Sequence, residues 1–108
     1  MKVLVTEKLA ERGLALLEQD FEVDVRTDLA KEGLAEAIEP YDAVIVRSQT
    51  QVDSASIEAG ANLKVIGRAG IGLDNVDVEA ATRRGVMVVN APQSNILSAA
   101  EEIFSRKS

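Results

Sequence analysis

The chain has 108 residues, 46% of them apolar and only 3% aromatic, and carries a net charge of −6. That length makes one domain, able to bury roughly 65% of its unfolded surface around an aliphatic core. The negative charge repels nucleic acid and anionic membranes, the lack of cysteine excludes disulfides and thiolate chemistry, and the lack of histidine removes the ordinary acid–base group at pH 7 together with any His-based metal or triad site.

In chain order, Val3-Leu4-Val5 reads as the first strand, followed by an amphipathic helix with Leu9, Ala10, Leu14 and Leu17 on one face. Phe21 to Val25 alternates apolar and polar, as expected of a half-exposed edge strand. Thr27 or Asp28 is placed to cap a second helix with Leu34, Ala37 and Ile38 turned inward and Pro40 ending it. Ala43-Val44-Ile45-Val46 is the most continuous apolar strand and is expected at the centre of the sheet. Asp53 or Ser54 caps a short helix to Ala59, stopped by Gly60. Leu63 to Ile66 forms a fourth strand. Asp77 caps a helix ending at Arg84, with Gly85 as its left-handed stop, and Val86 to Val89 is the fifth strand. After Pro92, Ser98-Ala99-Ala100-Glu101 is a capping box opening a last helix.

Strands alternating with helices at this spacing predict an α/β, flavodoxin-like doubly wound parallel five-stranded sheet, order 2-1-3-4-5, with helices on both faces, in a single domain over residues 1–108. Ligands of such sheets sit at the carboxyl ends of the strands, near the point between the first and third strands where the order reverses. The apolar run near Met1 is too short for a signal peptide or a membrane span, so a cytoplasmic protein with no nucleic-acid or membrane partner is expected.

Three segments fall at that carboxyl edge. In Val46-Arg47-Ser48-Gln49-Thr50, an arginine leaving the central strand ahead of two hydroxyls can grip a phosphate or carboxylate; the plainer alternative is a solvated arginine paired with an acid. In Gly67-Arg68-Ala69-Gly70-Ile71-Gly72, a strand runs into a glycine-rich turn. Asn75 stands where a third glycine of a dinucleotide fingerprint belongs, and no acid ends the following strand, which argues against a nucleotide. A substrate carboxylate held by the N–H groups of Ala69 to Ile71 and a purely structural turn both remain open. Asp74, Asn75 and Asp77 read as helix-capping residues rather than metal ligands, and Arg83 and Arg84 as ordinary cations of a last helical turn. Asn95, after the fifth strand, serves either a ligand or an Asx turn. Two other uses of the fold fail: a receiver needs an Asp where the third strand ends in Val46-Arg47, and a flavodoxin needs a phosphate loop where Thr6-Glu7-Lys8-Leu9-Ala10 has no glycine.

Read together, Val44 to Thr50, Leu63 to Asp77, Val88 to Pro92, Ser94-Asn95 and Ser98 to Glu101 resemble the D-2-hydroxyacid dehydrogenases, the D-3-phosphoglycerate dehydrogenases above all. The similarity runs from Met1 to about Glu101. It implies a substrate-binding domain of an NAD-dependent oxidoreductase of serine biosynthesis, in which Arg47 and Ser48 contact substrate. By the same resemblance Arg68 lies near the substrate phosphate, the Ala69-Gly70-Ile71 backbone holds the carboxylate, and Asn95 lines the cleft. The family's catalytic arginine, glutamate and histidine and its dinucleotide fingerprint have no counterpart here. The chain by itself is therefore expected to hold no cofactor, to be inactive, and to bind a small anionic 2-hydroxy acid weakly. Glu102 to Ser108 departs from the family's apolar crossing helix and looks cut or redesigned. Self-association into a homo-oligomer through uncovered apolar surface is the corresponding expectation for partners. A stand-alone folding module without ligand, or a subunit pairing with a separate NAD-binding chain, are the alternatives.

Overall fold

The computed structural model describes residues 1–92. The elements are β1 (Lys2–Val5), α1 (Glu11–Asp20), β2 (Glu22–Val25), a 3-10 turn (Thr27–Ala30), α2 (Leu34–Ala37), β3 (Ala43–Val46), α3 (Ser54–Ala59), β4 (Val65–Ala69), α4 (Val78–Arg83) and β5 (Met87–Ala91). The five strands form one sheet in the order β2-β1-β3-β4-β5, with every neighbouring pair parallel.

Alternation along the strands divides the core into two layers. Leu4, Val44, Val46 and Ile66 face Leu34 and Ile38 around α2, Ile57 of α3, and Ala80 and Ala81 of α4. Val3, Val5, Ala43, Ile45 and Val65 face Leu17 of α1. The split follows from the handedness of the crossovers: the connection from β1 steps one way to β2, the later ones step the other way, and right-handed connections then put their helices on opposite faces. Being covered on both sides, β3 is wholly buried, as its unbroken apolar run predicts. β2 is an edge strand with three of its four residues exposed. It is pinned by the Tyr41 hydroxyl, which donates to Asp24 at 2.6 Å.

Four local expectations need correction. Leu9 and Ala10 precede α1 rather than belonging to it, and Ala10 is exposed while Leu9 turns into the core from the preceding loop. The second helix is not one piece capped by Thr27 or Asp28. Asp28 instead pairs with Arg26 at 2.9 Å, the 3-10 turn ends at Ala30, and Gly33 at φ +89° breaks the path before α2. A left-handed residue cannot continue a right-handed helix. Finally, β4 and β5 each run farther than their apolar residues, to Ala69 and Ala91, because Arg68 pairs with Asn90 and Ala69 with Ala91 across the ladder. The helix caps match expectation: Asp53 accepts from Ser56 N at 2.9 Å, Asp77 from Ala80 N at 3.0 Å, and Gly85 stops α4 at φ +71°. Among the described residues, no helix is long and apolar enough to cross a membrane.

Candidate functional site

The order reversal at β1 leaves the loops after β1 and β3 side by side at the carboxyl edge. Glu7, two residues past β1, is buried there. One of its carboxylate oxygens accepts the N–H of Gln49 at 3.0 Å. The other accepts the N–H of Arg47, the N–H of Thr50 at 3.1 Å and the Thr50 hydroxyl at 2.8 Å. The buried hydroxyls of Thr6 and Thr50 meet at 2.8 Å. Burial pushes the Glu7 carboxyl up, but these hydrogen bonds from Arg47, Gln49 and Thr50 outweigh it and hold the pKa below the ordinary 4.5. A folded value below the unfolded one means that the stabilisation is complete above about pH 4.5 and is lost as pH falls through the lowered value. In an acid titration the amide shifts of Arg47, Gln49 and Thr50 are expected to move together with a midpoint below 4.5; a shared midpoint at or above that value would contradict the hydrogen-bond account.

A second set of bonds joins this loop to the turn after β4. The Asn75 side-chain amide donates to the carbonyl of Arg47 and to that of Thr50 at 2.8 Å. Its oxygen accepts from Arg68 Nε at 3.2 Å. Asn75 thus caps no helix, contrary to expectation. Asp77 does that work, and Asn75, only 6% exposed, spends its three bonds across the site. Backbone bonds from Val52 N to Asn75 O at 2.8 Å and from Asp77 N to Val52 O at 2.9 Å fasten the same two segments.

Arg68 is 9% exposed. Its guanidinium donates to Asn75 and, through Nη1, to Ile71 O at 2.6 Å. No carboxylate among the described residues pairs with it, nor with Arg47; Arg12 and Arg84 also lack one, but among the arginines only Arg68 is buried. The Arg47 side chain is exposed and donates to Lys8 O at 3.2 Å. Ser48 beside it is exposed as well.

The glycine turn is closed by its own chain. Gly70 N donates to Ala91 O at 2.9 Å. Asn90, with its amide oriented to satisfy its neighbours, donates to Gly70 O at 3.0 Å and accepts from Gly72 N at 3.2 Å. The N–H groups of Gly70 and Gly72 are thus engaged within the chain, whereas a dinucleotide's pyrophosphate takes unengaged N–H groups at a helix start. Of the Ala69-Gly70-Ile71 backbone, the Gly70 N–H is therefore already committed. Ile71 stands 90% exposed at the tip of the turn.

Arg47, Ser48, Arg68, Ala69, Gly70 and Ile71 are thus brought to one edge, Arg47 and Arg68 being linked through Asn75. Asn95 and the helix expected from Ser98 lie outside the described residues. Sequence reasoning missed Glu7 and misassigned Asn75. Glu7 follows β1 at the switch point, and that position was the only available signal. No group of metal-ligating side chains occurs among the described residues.

Residues 3–105 match the catalytic domain of the D-isomer-specific 2-hydroxyacid dehydrogenases. The chain belongs to that family. It is 49% identical over 106 residues to the D-3-phosphoglycerate dehydrogenase of Archaeoglobus fulgidus, covering 97% of this chain and 20% of that protein. It is 52% identical over 101 residues to the enzyme of the same name from Methanocaldococcus jannaschii, covering 94% and 19%. The chain therefore spans about a fifth of the length of these curated relatives. Among solved structures, the cofactor (NAD+)-bound 3-phosphoglycerate dehydrogenase of Entamoeba histolytica superposes with a TM-score of 0.72 at 37% identity, over 83% of this chain and 32% of that one. The apo D-lactate dehydrogenase of Escherichia coli gives 0.69 at 26% identity, over 85% and 31%. The family resemblance and the predicted α/β sheet order hold.

Proposed function

We propose that this chain supplies the anion-holding part of the substrate site of an NAD-dependent D-3-phosphoglycerate dehydrogenase-like oxidoreductase of serine biosynthesis in the cytoplasm, and that by itself it binds a small anionic 2-hydroxy acid weakly and transfers no hydride. The observation that carries the reading is the pair of arginines at the carboxyl edge, Arg47 exposed and Arg68 buried, held in one hydrogen-bonded unit without a carboxylate partner among the described residues. A buried guanidinium without a carboxylate partner, tied to an exposed one at the same edge, complements an anionic ligand. Arg47 and Ser48 offer donors at the surface, Arg68 supplies positive charge behind the turn, and the N–H of Ile71 lies at its tip.

Inactivity follows from what chemistry requires. Oxidising a 2-hydroxy acid needs a base for the hydroxyl proton and a hydride acceptor. The chain has no histidine, and the N–H groups of Gly70 and Gly72 in its glycine turn are engaged within the chain. The nicotinamide and the base belong, in this reading, to the part of the family's length that this chain does not span. Large apolar side chains at 38–46% exposure, Leu16, Val25, Val78 and Met87, support the accompanying proposal that copies associate and bury such surface.

The test is a titration of isotopically labelled protein with 3-phosphoglycerate and, separately, NAD. Amide shifts confined to 47–50 and 67–75 with phosphoglycerate, none with NAD, and no NADH formed are expected. Turnover by the pure chain would refute inactivity. A flat response in a well-folded spectrum would favour the stand-alone folding module. Line widths across protein concentration in the same samples report self-association.

A further inference from the structure

The crevice between the ends of β1 and β3 is where sheets of this order take their ligands. Here the chain fills it from within. The Arg47, Gln49 and Thr50 N–H groups and the Thr50 hydroxyl converge on the carboxylate of Glu7. That is a cradle for a small anion with an anion built in. The consequence falls on Arg47, whose peptide is gripped on both sides. Its N–H donates to Glu7, and its carbonyl accepts from Asn75. Two buried polar groups from distant segments therefore set the direction in which its side chain leaves the loop.

We propose that Glu7 is a positioning residue acting as an internal anionic ligand: it saturates the loop cradle, keeps free anions out of the crevice, and orients Arg47 and Ser48 for substrate at the surface. Only the last point rests on the substrate-site reading above. Charge and shape both matter. A glutamine at this position has one acceptor oxygen, and its amide nitrogen would face the N–H of Gln49, donor against donor. Alanine would leave the N–H groups of Arg47, Gln49 and Thr50 without their acceptor, while the Thr50 hydroxyl could still turn to Thr6.

The experiment is chemical rescue of Glu7→Ala by formate, which carries the missing pair of oxygens. In labelled Glu7→Ala, formate at constant ionic strength is expected to saturate, to shift the amides of Arg47, Gln49 and Thr50, and to raise the thermal midpoint. The wild type, its cradle full, should not respond. Affinity for 3-phosphoglycerate should fall roughly tenfold in Glu7→Ala, the equivalent of one lost hydrogen bond, and recover with formate. A folded Glu7→Ala whose three loop amides ignore formate overturns the cradle. An unchanged phosphoglycerate affinity in that variant overturns the positioning role. Should Glu7→Ala fail to fold even with formate, Glu7→Gln decides: faster hydrogen exchange at Gln49 than in the wild type supports the cradle, and unaltered exchange at Arg47, Gln49 and Thr50 overturns it. If the wild type does not bind phosphoglycerate, the substrate-site reading fails, while the formate and exchange results still judge the cradle.

Discussion

Replacing Asn75 by alanine is expected to lower the unfolding free energy by about 3–5 kcal/mol, a large share of the ~5–15 kcal/mol typical of such a domain. The side chain is buried, and its three bonds end on groups that depend on it: the carbonyls of Arg47 and Thr50 and the Nε of Arg68. Each buried group left without a partner costs roughly 1–3 kcal/mol, and more where it carries charge. The sum is less than three full penalties, because Arg68 keeps its bond to Ile71 O and water entering the gap re-satisfies part of the rest. In a domain of this size the loss corresponds to a fall in Tm of roughly 15 °C or more. Asn75→Asp is informative beside it. An aspartate still accepts from Arg68, but it turns a second oxygen toward two carbonyl oxygens and so loses the loop. Thermal or urea unfolding of both variants checks the argument. A loss below about 1 kcal/mol for Asn75→Ala, the scale of one ordinary hydrogen bond, would show that the two loops hold together without it.

Gly70→Ala is expected to destabilise by about 2–4 kcal/mol through a single collision. A Cβ at position 70 would lie 2.4 Å from Nη1 of Arg68, and the backbone φ of +156° already disfavours a side chain. The guanidinium is the mobile end of a long side chain, so it can yield, but only by leaving Ile71 O at 2.6 Å. A charged hydrogen bond contributes about 1.5–3 kcal/mol, and the displaced arginine no longer stands behind the turn. The partner of the clash is testable by a double-mutant cycle with Arg68→Ala. Removing the guanidinium should relieve most of the cost of Gly70→Ala, giving a coupling of at least about 1 kcal/mol between the two sites. Additive effects would mean that the strain lies in the backbone alone. Gly72→Ala is the control: its φ is +87°, yet a Cβ there meets nothing within 4 Å, so only conformational strain is added.

What the sequence determined by itself was the architecture. Unbroken apolar runs such as Ala43–Val46 mark buried strands. Asp53 and Asp77 mark helix starts, Gly85 marks a stop, and the alternation of strand and helix allows few sheet orders. These are local signals, each legible within a few residues of where it acts. The exceptions are local too. Gly33 punctuates the chain before α2 more strongly than Thr27 or Asp28 begins a helix, and the ends of β4 and β5 follow pairing between strands rather than side-chain polarity.

The site was legible only as an edge. Position at the carboxyl ends of strands singled out Arg47, Ser48 and the turn from Arg68 to Ile71, because the fold alone decides where that edge lies. What those residues do there depends on Glu7 and Asn75, whose partners lie 40–43 and 7–28 residues away in sequence. Read locally, a Glu after β1 is a surface acid and an Asn ahead of Asp77 is one more capping residue. Folding buries both, and a buried polar side chain must spend its hydrogen bonds on whatever the tertiary structure brings within reach. The tertiary structure alone therefore decided that Arg68 is held behind the turn by neutral oxygens, that Arg47 faces outward, and that the crevice between β1 and β3 is filled by the chain's own carboxylate.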